Sequence, residues 1–242
     1  AVPNFDWQAF AKKFVESLGL EFNPLTTQIE SHDWQAELYQ SVTHFNRILH
    51  NLATDIWSYI SIGYFTQIPV KGATGSSTMP HKINPIRFEN AEANLELSNA
   101  VLDNLAQTLV TSRMQRDLSD SSAQRNIGVG FGYSLVAIDN IHKGLGEIKV
   151  ADAAIAADLA DNWEVLAEAI QTVIRADVAS GKSEITNPYE LLKDLSRGKR
   201  LTREDLADFI LKLDIPQGSK DRLLSLSPKD YTGLAKKLAE SI

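Results

Sequence analysis

Apolar residues return every three or four positions between Asp33 and Tyr64: Trp34, Leu38, Val42, Phe45, Leu49, Leu52, Ile56 and Ile60. That spacing places them on one side of a helix, so the stretch predicts one long helix with Asp33 as its N-cap. The period is lost from Gln67 to Ile83, where Pro69, Gly72, Gly75 and Pro80 punctuate a loop. Asn84-Pro85 predicts a second helix start, with Asn capping and Pro in the first turn. Leu95, Leu102, Leu105 and Leu109 carry that helix to about Val110. After a polar turn from Arg116 to Ser122, a third helix is predicted from Ala123 to about Lys149. Its apolar side holds Ile127, Phe131, Leu135, Ile138, Leu145 and Ile148. Gly128, Gly130 and Gly132 lie inside it. Each costs about 1 kcal/mol relative to Ala in a helix, a cost that close approach of a neighbouring helix would offset.

From Val150 onward the texture changes. Turn signals crowd in at Ser180-Gly181, Asn187-Pro188, Arg197-Gly198, Ile215-Pro216 and Ser227-Pro228, and the helices predicted between them are short: Tyr189 to Leu195, Thr202 to Leu213, Tyr231 to Ser241. No segment shows a convincing strand period. The pattern predicts an all-α protein in two domains. Residues 1–149 form part of a long-helix bundle, and residues 150–242 form a smaller helical domain.

Composition narrows the function. The chain has 242 residues, 43% hydrophobic and 23% charged, enough for a sizeable core. It has no Cys, which removes disulfides and thiolate metal sites and fits a reducing compartment such as the cytoplasm. The histidines His32, His44, His50 and His142 show no ligand-like spacing with acidic residues, so neither metal nor cofactor is assigned. No apolar run approaches the roughly 18 residues of a membrane helix. A net charge of −7 argues against a nucleic-acid partner, while Arg113, Arg116 and Arg125 gather locally and suit a small anion. The opening Ala1-Val2-Pro3-Asn4 shows no Met and no signal-peptide pattern, and leads us to expect part of a longer protein.

The chemistry concentrates in Gly75-Ser76-Ser77-Thr78-Met79-Pro80-His81-Lys82-Ile83-Asn84-Pro85. Two hydroxyls, a lysine cation and a helix N-terminus suit a negatively charged substrate held under a closing loop. The bland alternative is a solvated Gly-Ser loop with an incidental lysine. The run closely resembles the signature of the fumarase/aspartase superfamily, and its Met-Pro-His-Lys form is most similar to the adenylosuccinate lyase family. Thr26-Thr27-Gln28-Ile29-Glu30, the stretch from Arg116 to Arg125, and the tail from Leu191 to Arg200 resemble further segments of that family. Carboxymuconate cycloisomerase, which shares the loop, and a non-catalytic helical scaffold are the alternatives.

The resemblance implies a carbon–nitrogen lyase of purine biosynthesis that eliminates fumarate from adenylosuccinate, giving AMP, and from the succinylated carboxamide imidazole ribotide. It implies Ser76, Lys82 and Glu89 as the catalytic set, with Ser76 the base, Ser77 its rival, and Glu89 orienting an acid histidine. Gln28, Ser77, Met79, Lys82, Asn84, Arg116, Ser121 and Arg125 would bind the nucleotide substrate, the last three around its phosphate. Without the resemblance, Glu89 reads as a solvated first-turn carboxylate, and Arg116 as a surface arginine paired with Asp117 or Asp120. Trp57, Trp163 and the three helical glycines read as packing. None of the five histidines stands in the family's His-Gly setting for the general acid, so the chain resembles a C-terminal half, inactive without its N-terminal half. The family's composite sites imply a homotetramer.

Overall fold

The computed structural model describes residues 2–69, 84–196 and 200–242. They divide into two compact units, Ala1–Lys149 and Val150–Ile242. The first unit opens on α1 (Trp7–Ser17), an amphipathic helix capped by the Asp6 carboxylate, which accepts from the Ala9 N–H at 2.9 Å. The sequence pattern did not anticipate it: Trp7, Phe10 and Phe14 stay exposed, so no core within the chain selects the helix.

Three long helices build the bundle: α2 (Asp33–Ser61), α3 (Ile86–Leu109) and, after the short α4 (Ser119–Ala123), α5 (Ile127–Gly146). The expected polar turn from Arg116 to Ser122 is therefore partly helical, and a 3₁₀ turn, Gln124–Asn126, links it to α5. Two expected caps move. His32, at φ +59°, takes the N-cap of α2, while Asp33 becomes its first helical residue. The Ser31 hydroxyl donates to Asp33 at 2.7 Å and, with the Asp33 backbone N–H, holds that carboxyl below its ordinary range. At α3, Pro85 rather than Asn84 stands at the N-cap. A two-stranded sheet that no period announced pairs β1 (Phe65–Gln67) with β2 (Ile148–Val150). Strands of three residues are too short to show alternation.

α3 packs against both α2 and α5. Its predicted leucines are the core: Leu95 and Leu102 are fully buried, and Leu105 and Leu109 nearly so. On the other two helices the periodicity was right only in part: Leu49, Leu52, Ile56 and Ile60 of α2 and Ile127 and Phe131 of α5 meet the core. Trp34, Leu38 and Phe45 of α2 are exposed, whereas Thr43 and Asn46 are buried. On α5, Leu135 and Leu145 are exposed, and the buried positions are Gly130, Ser134, Ala137, Ile141 and Gly144. Small residues there let α3 approach closely. A Cβ on Gly130 would lie 2.7 Å from Leu102 Cδ2, and one on Gly144 2.8 Å from Phe88 Cζ. Gly128 and Gly132, in contrast, face open space, so close packing explains only one of the three glycines first considered. Gly130→Ala should therefore destabilise the protein by about 1–3 kcal/mol through overpacking. Gly128→Ala should be neutral or stabilising by up to about 1 kcal/mol. Urea midpoints of the two variants check the contrast.

Polar groups cross the centre of the bundle. Asn46 Nδ2 on α2 donates to Ser98 Oγ on α3 at 3.0 Å, and Ser98 Oγ donates to the Gly130 carbonyl on α5 at 2.8 Å. Ser134 Oγ on α5 closes the circuit by donating to Asn46 Oδ1 at 2.7 Å.

The second unit contains α6 (Asp152–Ala160), a 3₁₀ turn at Trp163–Leu166, α7 (Ala167–Ala179), α8 (Pro188–Ser196), α9 (Arg203–Lys212), α10 (Gln217–Leu224) and α11 (Ala235–Ala239). Its core joins Leu166, Ile170 and Ile174 to Leu206, Ile210 and Leu223, with Trp163 packed against it as expected. Thr202 and Asp205 cap α9 reciprocally, a capping box that fixes its start. The last helix is shorter than the Tyr231 to Ser241 span expected, because Gly233 sits at φ +55° and the helix starts only after it. Among the described residues, no helix is long and apolar enough to cross a membrane.

Candidate functional site

Two regions of the first unit hold the described candidate residues. The first is a polar seam between the antiparallel α2 and α3. Trp57 Nε1 donates to Glu89 Oε1 at 3.1 Å, and Thr54 Oγ1 donates to Glu92 Oε1 at 2.6 Å. His50 Nε2 lies 3.2 Å from Glu96 Oε1, and Arg47 Nη2 donates to Asp103 at 2.8 Å. Residues 57, 54, 50 and 47 step along one face of α2 at spacings of three and four, as do 89, 92, 96 and 103 along α3 at three, four and seven. Glu89 is half-buried in the first turn of α3, where a carboxylate is favoured by the helix dipole. Trp57 was expected to be packing; instead the residue is 40% exposed and its indole N–H donates to Glu89. The seam also revises the reading of the histidines. His50 meets an acidic partner on another helix, which sequence spacing cannot reveal.

The second region is a cleft of about 550 Å³ between residues 25–32 and 109–120. The Gln28 N–H donates to the Gln115 carbonyl at 3.3 Å, so the two segments singled out in the sequence lie side by side. The cleft is lined by both non-glycine residues with positive φ found among the described residues, His32 and Met114, the latter at φ +53°. Such backbone costs about 1–3 kcal/mol and collects at functional sites. His32 is 6% exposed; its Nε2 lies 2.8 Å from Gln124 Nε2, and its backbone N–H donates to Glu30 at 2.9 Å. Nothing in the pattern marked His32, although histidine is among the residues enriched in the left-handed region.

Two of the three neighbouring arginines are paired with carboxylates along their own segment. Arg113 donates to Asp117 at 2.8 Å, and Arg116 lies 3.9 Å from Asp120. Arg125 is exposed and forms no ion pair among the described residues. The Ser119 backbone N–H and hydroxyl, and then the Arg113 charge, hold the Asp117 carboxyl below its ordinary range. Ser121 and Gln28 are exposed beside this region. Asn84 lies one residue before the Pro85 N-cap of α3, while Ser76, Ser77, Met79 and Lys82 lie outside the described residues. The described geometry thus offers a carboxylate held at the start of α3 and a cleft between residues 25–32 and 109–120.

The model of the adenylosuccinate lyase C-terminal family matches residues 112–232, and that of the lyase family matches residues 2–101. The chain belongs to the adenylosuccinate lyase C-terminal family. It is 49% identical over 242 residues to an adenylosuccinate lyase of Haemophilus influenzae, covering 100% of this chain and 52% of that protein. It is 51% identical over 241 residues to one of Legionella pneumophila, with coverage of 100% and 52%. To one of Escherichia coli K12 it is 49% identical over 235 residues, with coverage of 97% and 50%. The chain therefore spans about half the length of the curated relatives it matches. Among solved structures, 3-carboxy-cis,cis-muconate lactonizing enzyme from Pseudomonas putida shares the fold at a TM-score of 0.69 and 21% identity, over 97% of this chain and 52% of that one. A family member of this all-α, long-helix architecture is what the sequence resemblance led us to expect. The shared fold does not carry the neighbour's activity across.

Proposed function

We propose that this chain is the C-terminal part of an adenylosuccinate lyase, which eliminates fumarate from adenylosuccinate and from the succinylated carboxamide imidazole ribotide. The observation that carries this reading is about 50% identity, over essentially the whole chain, to adenylosuccinate lyases of three bacteria. In this reading residues 1–149 complete a helical-bundle domain and residues 150–242 form a small C-terminal domain. The working enzyme is a cytoplasmic homotetramer with composite sites.

The difficult step is removing a proton from the carbon beside a succinyl carboxylate. Negative charge then builds next to existing negative charge, and fixed cations and N–H donors must meet it. Ser76, ionised under the closed loop, takes that proton; Ser77 is its rival. Lys82 and Asn84 face the carboxylate, with Met79 and Ser77 in the same loop shaping the site. The electron pair then forms the fumarate double bond as the C–N bond breaks, and a histidine from outside this chain protonates the departing nitrogen. Glu89 orients that histidine. Arg116, Ser121 and Arg125 hold the phosphate, and Gln28 contacts the substrate. Because Arg116 lies 3.9 Å from Asp120, phosphate binding in this reading must compete with that carboxylate.

The test mixes this chain with a separately produced N-terminal half of the Haemophilus influenzae relative and follows loss of adenylosuccinate by ultraviolet absorbance. Activity in the mixture, and in neither half alone, is expected. Fumarate formation by this chain alone would refute its dependence on the other half. Inactivity of a folded, associated mixture would refute the lyase reading.

A further inference from the structure

The seam between α2 and α3 treats Glu89 differently from its neighbours. Glu92 and Glu96 meet a threonine hydroxyl and an imidazole, groups that can either donate or accept. Glu89 meets an indole N–H, which can only donate. An indole has two side-chain torsions and a rigid ring, so its N–H points in one direction once the ring is seated. The bond at 3.1 Å occupies Glu89 Oε1, and among the described residues Oε2 accepts no hydrogen bond. Glu89 is thus a carboxylate with one oxygen pinned, one turn into the helix that follows residues 70–83.

We propose that Trp57 is a positioning residue for Glu89, its indole N–H fixing one carboxylate oxygen so that the other is presented to the histidine that protonates the leaving nitrogen. The inference rests on the lyase reading above. Pinning has a direct consequence: a carboxylate held at one oxygen cannot turn its plane, so a second N–H donor meets Oε2 at one angle. Without the indole, Glu89 is a half-buried side chain free to sample several rotamers. The histidine it orients would spend less time aligned with the breaking bond. Substrate binding, which the proposed function assigns to other residues, would be unaffected. The bland alternative is that the bond only fastens α2 to α3 at the start of α3, as the Thr54–Glu92 bond does lower down.

The test uses the reassembled enzyme. Trp57→Phe keeps most of the ring and removes the N–H. It should lower kcat about 10- to 100-fold, the value of one hydrogen bond to a charged group, while KM shifts by less than about threefold. In a Glu89→Ala background, adding Trp57→Phe should cost nothing further, because Trp57 acts only through Glu89. Thr54→Ala, which removes the neighbouring rung, should leave kcat unchanged within about twofold. An unchanged kcat in Trp57→Phe, or an equal loss in the Glu89→Ala background, overturns the proposal. So does a loss of activity that follows only a lowered melting temperature, as a purely structural bond would give. Absence of activity in the unsubstituted enzyme would instead refute the lyase reading itself, and this inference with it.

Discussion

Replacing Ser76 by Ala in the reassembled enzyme is expected to reduce kcat by about 10²- to 10⁴-fold, the range that positioned proton transfer supplies, with folding and assembly intact. A neutral hydroxyl is a poor base, so in the proposed mechanism the serine would ionise. A closed loop that excludes water, with Lys82 and backbone N–H groups nearby, is the environment that would favour the alkoxide. Ala at this position removes the proton acceptor but little volume, so KM should change far less than kcat. The matching Ser77→Ala variant separates the two hydroxyls. If Ser77 only hydrogen-bonds within the loop or to substrate, its loss costs a hydrogen bond, about tenfold. If Ser77→Ala proves the more damaging, the base is Ser77 and the order of the pair is reversed. Steady-state kinetics on adenylosuccinate decide between them.

The second large effect is on stability. Asn46→Ala should lower the unfolding free energy by about 2–4 kcal/mol, read from the urea midpoint. Asn46 is fully buried and bonds to Ser98 and Asn99 on α3, and it accepts from Ser134 on α5. Truncation leaves the Ser134 hydroxyl, on a residue 4% exposed, without its acceptor and opens a cavity. A surface rung behaves differently: Thr54 is exposed and Glu92 only half-buried, and their bond should contribute less than about 1 kcal/mol. Combining Asn46→Ala with Ser134→Ala should cost little more than Asn46→Ala alone, since both act on one network. Full additivity would mean that the two residues do not share it.

The fold class was legible because long helices write themselves in period. The core of α3, at Leu95, Leu102, Leu105 and Leu109, is where the spacing placed it, and the change of texture falls at the boundary between the two compact units. The short strands were not legible, since three residues cannot establish alternation. Nor was α1, whose aromatic side is exposed.

Of the candidate site, the sequence supplied candidates through the signature loop, Glu89 and the arginines, while the geometry needed the third dimension. Period tells which residues share a face of a helix. It does not tell which face meets a neighbour when a helix has apolar residues on more than one side. So Phe45 and Leu135 point outward while Asn46, Ser134 and Gly130 line the centre. By itself the sequence determined the long helices and named the residues of the loop, because these depend on neighbours along the chain. Only the tertiary structure decided that Trp57 holds Glu89, that His50 faces Glu96, and that residues 25–32 lie against residues 109–120. Each of these pairs is brought together across many residues of intervening chain, and no local spacing records it.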